Sequence, residues 1–462
     1  ENAPNYIEAD ESGQPILDEN GNEKIIFYDG FLDRNRLGTQ INADNLLQGK
    51  RYFMEHRYQL LPIAKDTTIY KMAVGYSASL ENKKYNYNQN RINTYFLDKY
   101  DTSNIRDSTS FNTLENKLFL YYNDKSIGEL KLDLFHYNWN YVLGENEYEK
   151  DTLLSKEINT KQIATQIRWQ KNLYGIETNV SAYQSLKNEY ATKALTLGLA
   201  RPIIKDIKLG TSYKYRSQPL NFNFHLNQSD YIAYNWENTS LLNQEFSTRS
   251  IVVYHPKWGS VKGEWSTIKN FTFFNNITPL NDLNEKFLVE VNQTDKKIEY
   301  FKARFDQRID LGKFSLVNNF QYQRVNQERN TDEILSGPLA LNVPEWIIRS
   351  TFMLTSSIFN KALFFQSGAT FVFFTDYYAD QYNPLLAEFV TQNQTKIGEY
   401  PRIDFFFNAK IQSSRVFLKL ENISAPIEHL INIDSTYDYY SAPYVPYRDF
   451  SIRFGLIWNF FE

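Results

Sequence analysis

Few side chains in this 462-residue chain are placed to do bond-making chemistry, and they are scattered. Its five histidines are His56, His136, His225, His255 and His429. None sits in an H-E-x-x-H pattern or beside a carboxylate at ligand spacing, so zinc hydrolysis has no support. The absence of cysteine excludes thiolate metal sites and disulfides. Neither G-x-x-x-x-G-K-[ST] nor G-x-G-x-x-G occurs, so no phosphate-cradling loop is present. A Ser–His or Asp–His site assembled from distant segments would leave no local motif. No catalytic residue, metal ligand or cofactor site is assigned, and no enzymatic activity is expected. Asp18-Glu19-Asn20-Gly21-Asn22-Glu23, echoed by Asp10-Glu11-Ser12-Gly13, is oxygen-rich enough to suggest calcium. It lacks the full spacing and terminal Glu of an EF-hand loop, and Asn-Gly reads first as a turn.

The remaining chemistry is charge set at every second position. Lys71, Glu81, Lys208, Lys214, Arg216, Lys302, Arg304, Asp306, Arg308, Asp310, Arg349, Lys410, Lys419, Glu421 and Arg453 each alternate with apolar neighbours. If the apolar partners face lipid, these side chains line a lumen whose width and charge select what passes. The bland alternative is a wall of solvated or mutually paired charges, which a plugged barrel needs as well.

The elements that carry them have a period of two. Tyr70, Met72, Val74, Tyr76, Ala78 and Leu80 alternate with Lys71, Ala73, Gly75, Ser77, Ser79 and Glu81. Phe450, Ile452, Phe454, Leu456, Trp458 and Phe460 alternate with Ser451, Arg453, Gly455, Ile457, Asn459 and Phe461. Such alternation predicts strands with one apolar face. The runs extend well beyond the roughly 5–6 residues usual in globular proteins.

Composition agrees. Thirty-four Tyr, 34 Phe and 7 Trp coexist with a mean hydropathy of −0.53. Aromatics gather towards strand ends, where amphipathic rings suit a headgroup layer. No apolar run reaches the length of a transmembrane helix. The net charge of −4 offers no polyanion-binding signature, so nucleic acid is not an expected partner.

Seventeen strands are predicted from Lys50 onward, one of them over 258–275, joined alternately by tight turns and long polar links. Examples are the turn at Lys205–Asp206 and the links Asn82–Ser110 and Tyr377–Tyr400. Hydrocarbon demands that every backbone group be paired, which closed barrels of strands achieve. The expected fold is an all-β, antiparallel up-and-down transmembrane barrel of about 16–18 strands, with short periplasmic turns and long external loops. Residues 1–48 are expected to form an external loop or incomplete first strand, and 49–462 the barrel. Either Lys24–Leu32 adds an eighteenth strand or further strands precede Glu1.

Specific residues then carry a resemblance. Gly49-Lys50-Arg51-Tyr52-Phe53-Met54-Glu55-His56-Arg57-Tyr58, Leu341-Asn342-Val343-Pro344-Glu345 and Asp376-Tyr377-Tyr378-Ala379-Asp380-Gln381-Tyr382-Asn383-Pro384 resemble motifs of the putative porin family of Bacteroidota-type outer membranes. Gln392-Asn393, Gly398-Glu399-Tyr400-Pro401, Tyr440-Ser441-Ala442-Pro443 and the final strand continue the likeness. It spans residues 27–462 and is densest from 313 onward. It implies an outer-membrane barrel and no catalytic residues. Passive diffusion of small polar solutes or ions is the expected function. A plugged barrel serving as scaffold or accessory subunit of an envelope complex is the alternative. Expected partners are outer-membrane lipids, lipopolysaccharide and the barrel assembly machinery. Other envelope proteins and further copies of the chain remain open.

Phe460 and Phe461 end the alternating aromatic strand and are assigned as the assembly signal, with anchoring at the periplasmic interface as the competing role. Deleting residues 460–462 is expected to cut membrane insertion sharply. Normal surface levels of the truncated protein would refute the signal role.

Overall fold

The computed structural model describes residues 6–7, 25–26, 43–62, 70–89, 105–144, 157–186, 190–277, 288–327, 339–360, 362–430, 440–443, 445–448 and 450–458. Phe460, Phe461 and the acidic segment at Asp18 lie outside them. Of the span Lys24–Leu32 only Ile25–Ile26 is described; it pairs with Tyr6–Ile7, apart from the main sheet.

Seventeen strands form one large antiparallel sheet. The first eight are β1 (Ala43–Pro62), β2 (Tyr70–Gln89), β3 (Ile105–Asp124), β4 (Gly128–Leu143), β5 (Glu157–Leu173), β6 (Ile176–Ser185), β7 (Lys193–Ile204) and β8 (Ile207–Gln218). They continue as β9 (Gln244–His255), β10 (Gly259–Lys269), β11 (Ile298–Leu311), β12 (Phe314–Asn326), β13 (Trp346–Ile358), β14 (Leu363–Phe374), β15 (Arg402–Ile411), β16 (Ser414–Glu421) and β17 (Ser451–Trp458). Each pairs with its neighbour in this sequence, as up-and-down topology requires. The strand order is that of a barrel with β17 beside β1, whereas paired residues are described only for the junctions between strands consecutive in the chain.

Short turns punctuate one end. Tyr174 and Gly175 both take positive φ, 51° and 80°, as a two-residue type I′ hairpin demands. The helices among the described residues are short and lie in connections: α1 (Phe222–His225) and α2 (Ser424–Leu430).

Two expectations require correction. The link Asn82–Ser110 is not loop throughout, because β2 and β3 run on to Gln89 and back from Ile105. Tyr85 and Tyr87 keep the alternation through an otherwise polar stretch, and their rings are held by loops packed above them. The strand expected over 258–275 ends at Lys269. Asn270 turns the chain with φ 54°, and Thr272–Asn276 joins a separate small sheet.

Register divides the sheet into two chemical faces. One row runs Leu209, Val253, Val261, Phe305, Phe320, Ile348 and Phe373 across seven strands without a polar interruption. Towards the loop end Trp265, Phe301, Tyr322 and Trp346 make a chain of aromatic contacts at centroid distances of 5.3, 6.3 and 4.9 Å. Such an apolar band edged by rings is built to face hydrocarbon and headgroups. The opposite, inner face is the one against which the long loops pack. Gly75 lies there, leaving the space that the Phe119 ring enters from the next strand.

Ile251 is exposed on the outward band midway along β9. Ile251→Arg is expected to lower stability by about 2–4 kcal/mol in lipid or detergent. Val252→Arg, one residue along on the inner face, should cost far less. Equal losses in denaturant titrations would show that the faces are wrongly assigned.

Candidate functional site: the inner wall and its cap

Following the cross-strand partners from Asp133 around the sheet places Lys71, Glu81, Lys208, Lys214, Arg216, Lys302, Arg304, Asp306, Arg308, Asp310, Arg349, Lys410, Lys419, Glu421 and Arg453 on this one face. Most are paired. Lys71 Nζ lies 2.8 Å from Asp124, Lys208 Nζ 2.6 Å from Glu177, and Glu81 Oε1 3.3 Å from Lys83. Within β11 the i,i+2 spacing brings Arg304 to 2.8 Å from Asp306 and Arg308 to 3.0 Å from Asp310. Lys302 and Lys262 share Glu264 at 3.0 and 2.8 Å.

The densest network crosses β15, β16 and β17. Glu421 receives Lys419 at 2.6 Å and Arg453 at 2.9 Å, while Asp404 receives Arg402 at 2.9 Å. Exposed pairs of this kind contribute about 0–1 kcal/mol each, so their role is to keep the face polar and hydrated rather than to hold the fold. Lys214, Arg216, Arg349 and Lys410 have no carboxylate within salt-bridge reach among the described residues.

Sequence reading missed many members of this wall, among them Lys83, Glu177, Lys262, Glu264, Arg402 and Asp404, and with them a cluster on β4 and β5. Asp133 is buried at 3% exposure between Arg168, 2.6 Å away, and Lys131, 3.7 Å away. The Arg168 and Lys131 side chains reach water, at 44% and 27% exposure, so removing either costs less than the about 3–5 kcal/mol of a fully buried pair. The alternation of β4 obscured Lys131 and Asp133, because its large apolar residues change face partway along the strand. Leu132 and Leu134 point outward, while Phe135, Tyr137 and Trp139 stack along the inner face at 5.6 and 5.2 Å. Phe119 adds a cationic cluster, with Lys131, Lys117 and Arg57 5.0, 5.6 and 5.7 Å from its ring centre.

Three long loops converge at the end opposite the short turns. From the β8–β9 loop, Phe222 of α1 packs on the inner-face rings of Phe111 and Tyr141 at 5.5 and 5.7 Å. The β10–β11 loop supplies Thr272–Asn276 and Val289–Gln293, and the β14–β15 loop supplies Gln381–Asn383 and Glu388–Thr391. These four segments make one small sheet, in which Phe274 and Val390 pair in parallel across the two loops. Its core joins Tyr231, Tyr234, Phe274, Val289, Leu385 and Val390 to Tyr87 and Ile105 of the wall. The loops therefore form a cap seated on the inner face at the mouth.

Polar side chains fasten the cap from within. Asn383, with no exposure, donates to Tyr234 Oη at 2.8 Å and accepts from the backbone N–H groups of Leu385 and Leu386 at 3.0 and 3.1 Å. Gln392 bonds Ala379 and Thr395, and Tyr400 Oη donates to Asn422 at 2.5 Å. Tyr85 Oη donates to the Pro384 carbonyl, and the Asp230 N–H donates to Asp107 at 2.9 Å. The segment 376–401, singled out by motif, thus holds the cap together. Among the described residues no three His, Asp or Glu side chains gather into a metal-binding group.

Glu388 lies between two cap loops and accepts from Asn223 Nδ2 at 2.5 Å. Burial pushes its carboxyl pKa above the ordinary carboxylate value, and the Asn223 bond opposes this only partly. The packed cap favours the protonated form, so its stability rises as pH falls from neutrality through the raised pKa. Hydrogen exchange in residues 222–237, corrected for the intrinsic rate, is expected to be faster at about pH 7.5 than at about pH 5. Glu388→Gln should flatten that difference; a variant with unchanged pH dependence would assign the effect to another group.

No curated protein sequence matches the chain. Among solved structures the fold is similar to BauA, the ferric preacinetobactin receptor of Acinetobacter baumannii. The TM-score is 0.52 at 9% identity, covering 83% of this chain and 59% of that one, so the chain spans about three fifths of the receptor's length. The ferric enterobactin receptor PfeA of Pseudomonas aeruginosa gives 0.49 at 8% identity, covering 82% and 64% of the two chains. The FrpB iron transporter of Neisseria meningitidis gives 0.48 at 8%, covering 91% and 70%. At 9% identity the likeness to BauA concerns the fold alone. The sequence itself matches the family described as a putative porin over residues 4–462, and to that family the chain belongs.

Proposed function

We propose that the sheet closes into a barrel in a bacterial outer membrane, turns towards the periplasm and cap outside, and conducts small polar solutes or ions by passive diffusion. The observation that carries this reading is the pairing of faces. An unbroken apolar row backs an inner face of ion pairs, amides and hydroxyls. Barrels of about 16–18 strands are wide enough to leave an aqueous channel. The cap narrows the outer mouth, and the polar wall below it keeps water in the lumen. Lipid and lipopolysaccharide would contact the apolar band, and the assembly machinery would insert the barrel.

A second reading draws on the cap itself. Its aromatic core is continuous with the inner wall through Tyr87 and Ile105, as a plug would be. In that reading the barrel is a scaffold or accessory subunit of an envelope complex, and its loop surface receives the partners.

Reconstitution in planar bilayers separates the two. Discrete conductance steps are expected for the conduit. A silent bilayer, together with stable co-purification of other envelope proteins, would establish the scaffold instead.

A further inference from the structure

The inner wall and the chain as a whole differ in charge. The chain carries 50 Lys and Arg against 54 Asp and Glu. On the inner face of the seventeen strands, cross-strand register places twenty Lys and Arg against twelve Asp and Glu, an excess of eight positive charges. Folding has sorted the cations inward.

We propose that the lumen selects small anions over cations, a reading that rests on the conduit function above. Carboxylates on this face are largely consumed by neighbouring cations, and four of them, Asp133, Glu264, Asp404 and Glu421, each serve two. Asp107, Glu115 and Glu129 have no cation within salt-bridge reach among the described residues. Against them stand Lys214, Arg216, Arg349, Lys410 and Arg415, with no carboxylate within salt-bridge reach among the described residues.

The placement of these five matters as much as their number. Arg216 lies near the loop end of β8, and Arg349 near the loop end of β13. Lys410 and Arg415 flank the turn between β15 and β16 at the other end. Uncompensated positive charge therefore stands at both mouths of the wall, with Lys214 between them. A channel with one sign of fixed charge over low-dielectric walls concentrates the opposite ion. Guanidinium and ammonium groups also donate hydrogen bonds to phosphate and carboxylate, so small inorganic and organic anions are the class that fits. Screening lengths of about 8 Å at physiological salt let such charges act across much of the lumen, and about 3 Å at 1 M should abolish this.

The test is the reversal potential of single channels of the purified protein in a KCl gradient. A chloride-to-potassium permeability ratio above one is expected, falling towards one at molar salt. The variant Lys214→Gln/Arg216→Gln/Arg349→Gln should lower the ratio while conductance steps persist. None of these three side chains makes an ion pair among the described residues, and heat-modifiable migration checks that the barrel still forms. Should that variant fail to form, Lys410→Gln/Arg415→Gln at the opposite mouth makes the same test. Conductance steps with a ratio at or below one, or a ratio unmoved by both variants, would overturn the anion assignment and leave the conduit standing. Absence of steps from the native protein would overturn the conduit and the assignment together.

Discussion

Hydrocarbon offers no partner to a peptide N–H or carbonyl, and the rest of the architecture follows from that constraint. A ladder satisfies each backbone group with the strand beside it, at the cost of fixing every side chain to one face or the other. The chain then has two surfaces of equal length and opposite chemistry. Outward rows such as Leu209 to Phe373 are free of charge, while inward positions carry most of the charge that the wall holds. Ion pairs within single strands, as in β11, arise because i and i+2 share a face.

The same geometry explains why the long connections leave a mark on the inside. β2 and β3 continue well past the apolar band, so Tyr85, Tyr87 and Ile105 stand on the inner face above it. Aromatic surface there needs cover, and the loops supply it with Tyr231, Tyr234 and Phe274. Cap and wall share one hydrophobic cluster. This is why the cap sits in the mouth instead of trailing over the rim.

Much of this was legible in sequence. The strand count and most turns followed from a period of two that spans long stretches and breaks at Lys205–Asp206 and similar sites. Asn82–Gln89 escaped because Asn and Lys occupy its outward positions, so only two tyrosines carried the signal. The end of β10 at Lys269 escaped because Phe271 and Phe273 carry the aromatic alternation beyond it while Asn270 turns the chain. For the inner wall, parity assigned residues to a face, and spacing alone could suggest Arg304–Asp306 or Lys419–Glu421. Lys208–Glu177 and Arg168–Asp133 depend on register between strands, which no local pattern encodes. The cap was the least legible part. Its core joins positions as distant as Phe274 and Val390, and contacts of that span have no periodicity.

The parallel pairing of Phe274 with Val390 also fixes an order of events. The two segments belong to loops separated by β11, β12, β13 and β14, and each loop is tethered at both ends to strands. Bringing them together in an unfolded chain would mean closing a circuit of more than a hundred residues for two ladder positions, a poor exchange of entropy for contact. Once the four intervening strands are in register, the loops are neighbours and the closure has already been made. The small sheet can then form only late, on a finished wall. Such a seam records whether the strands beneath it were assembled in the right order, since a slipped register would leave Phe274 and Val390 unable to meet.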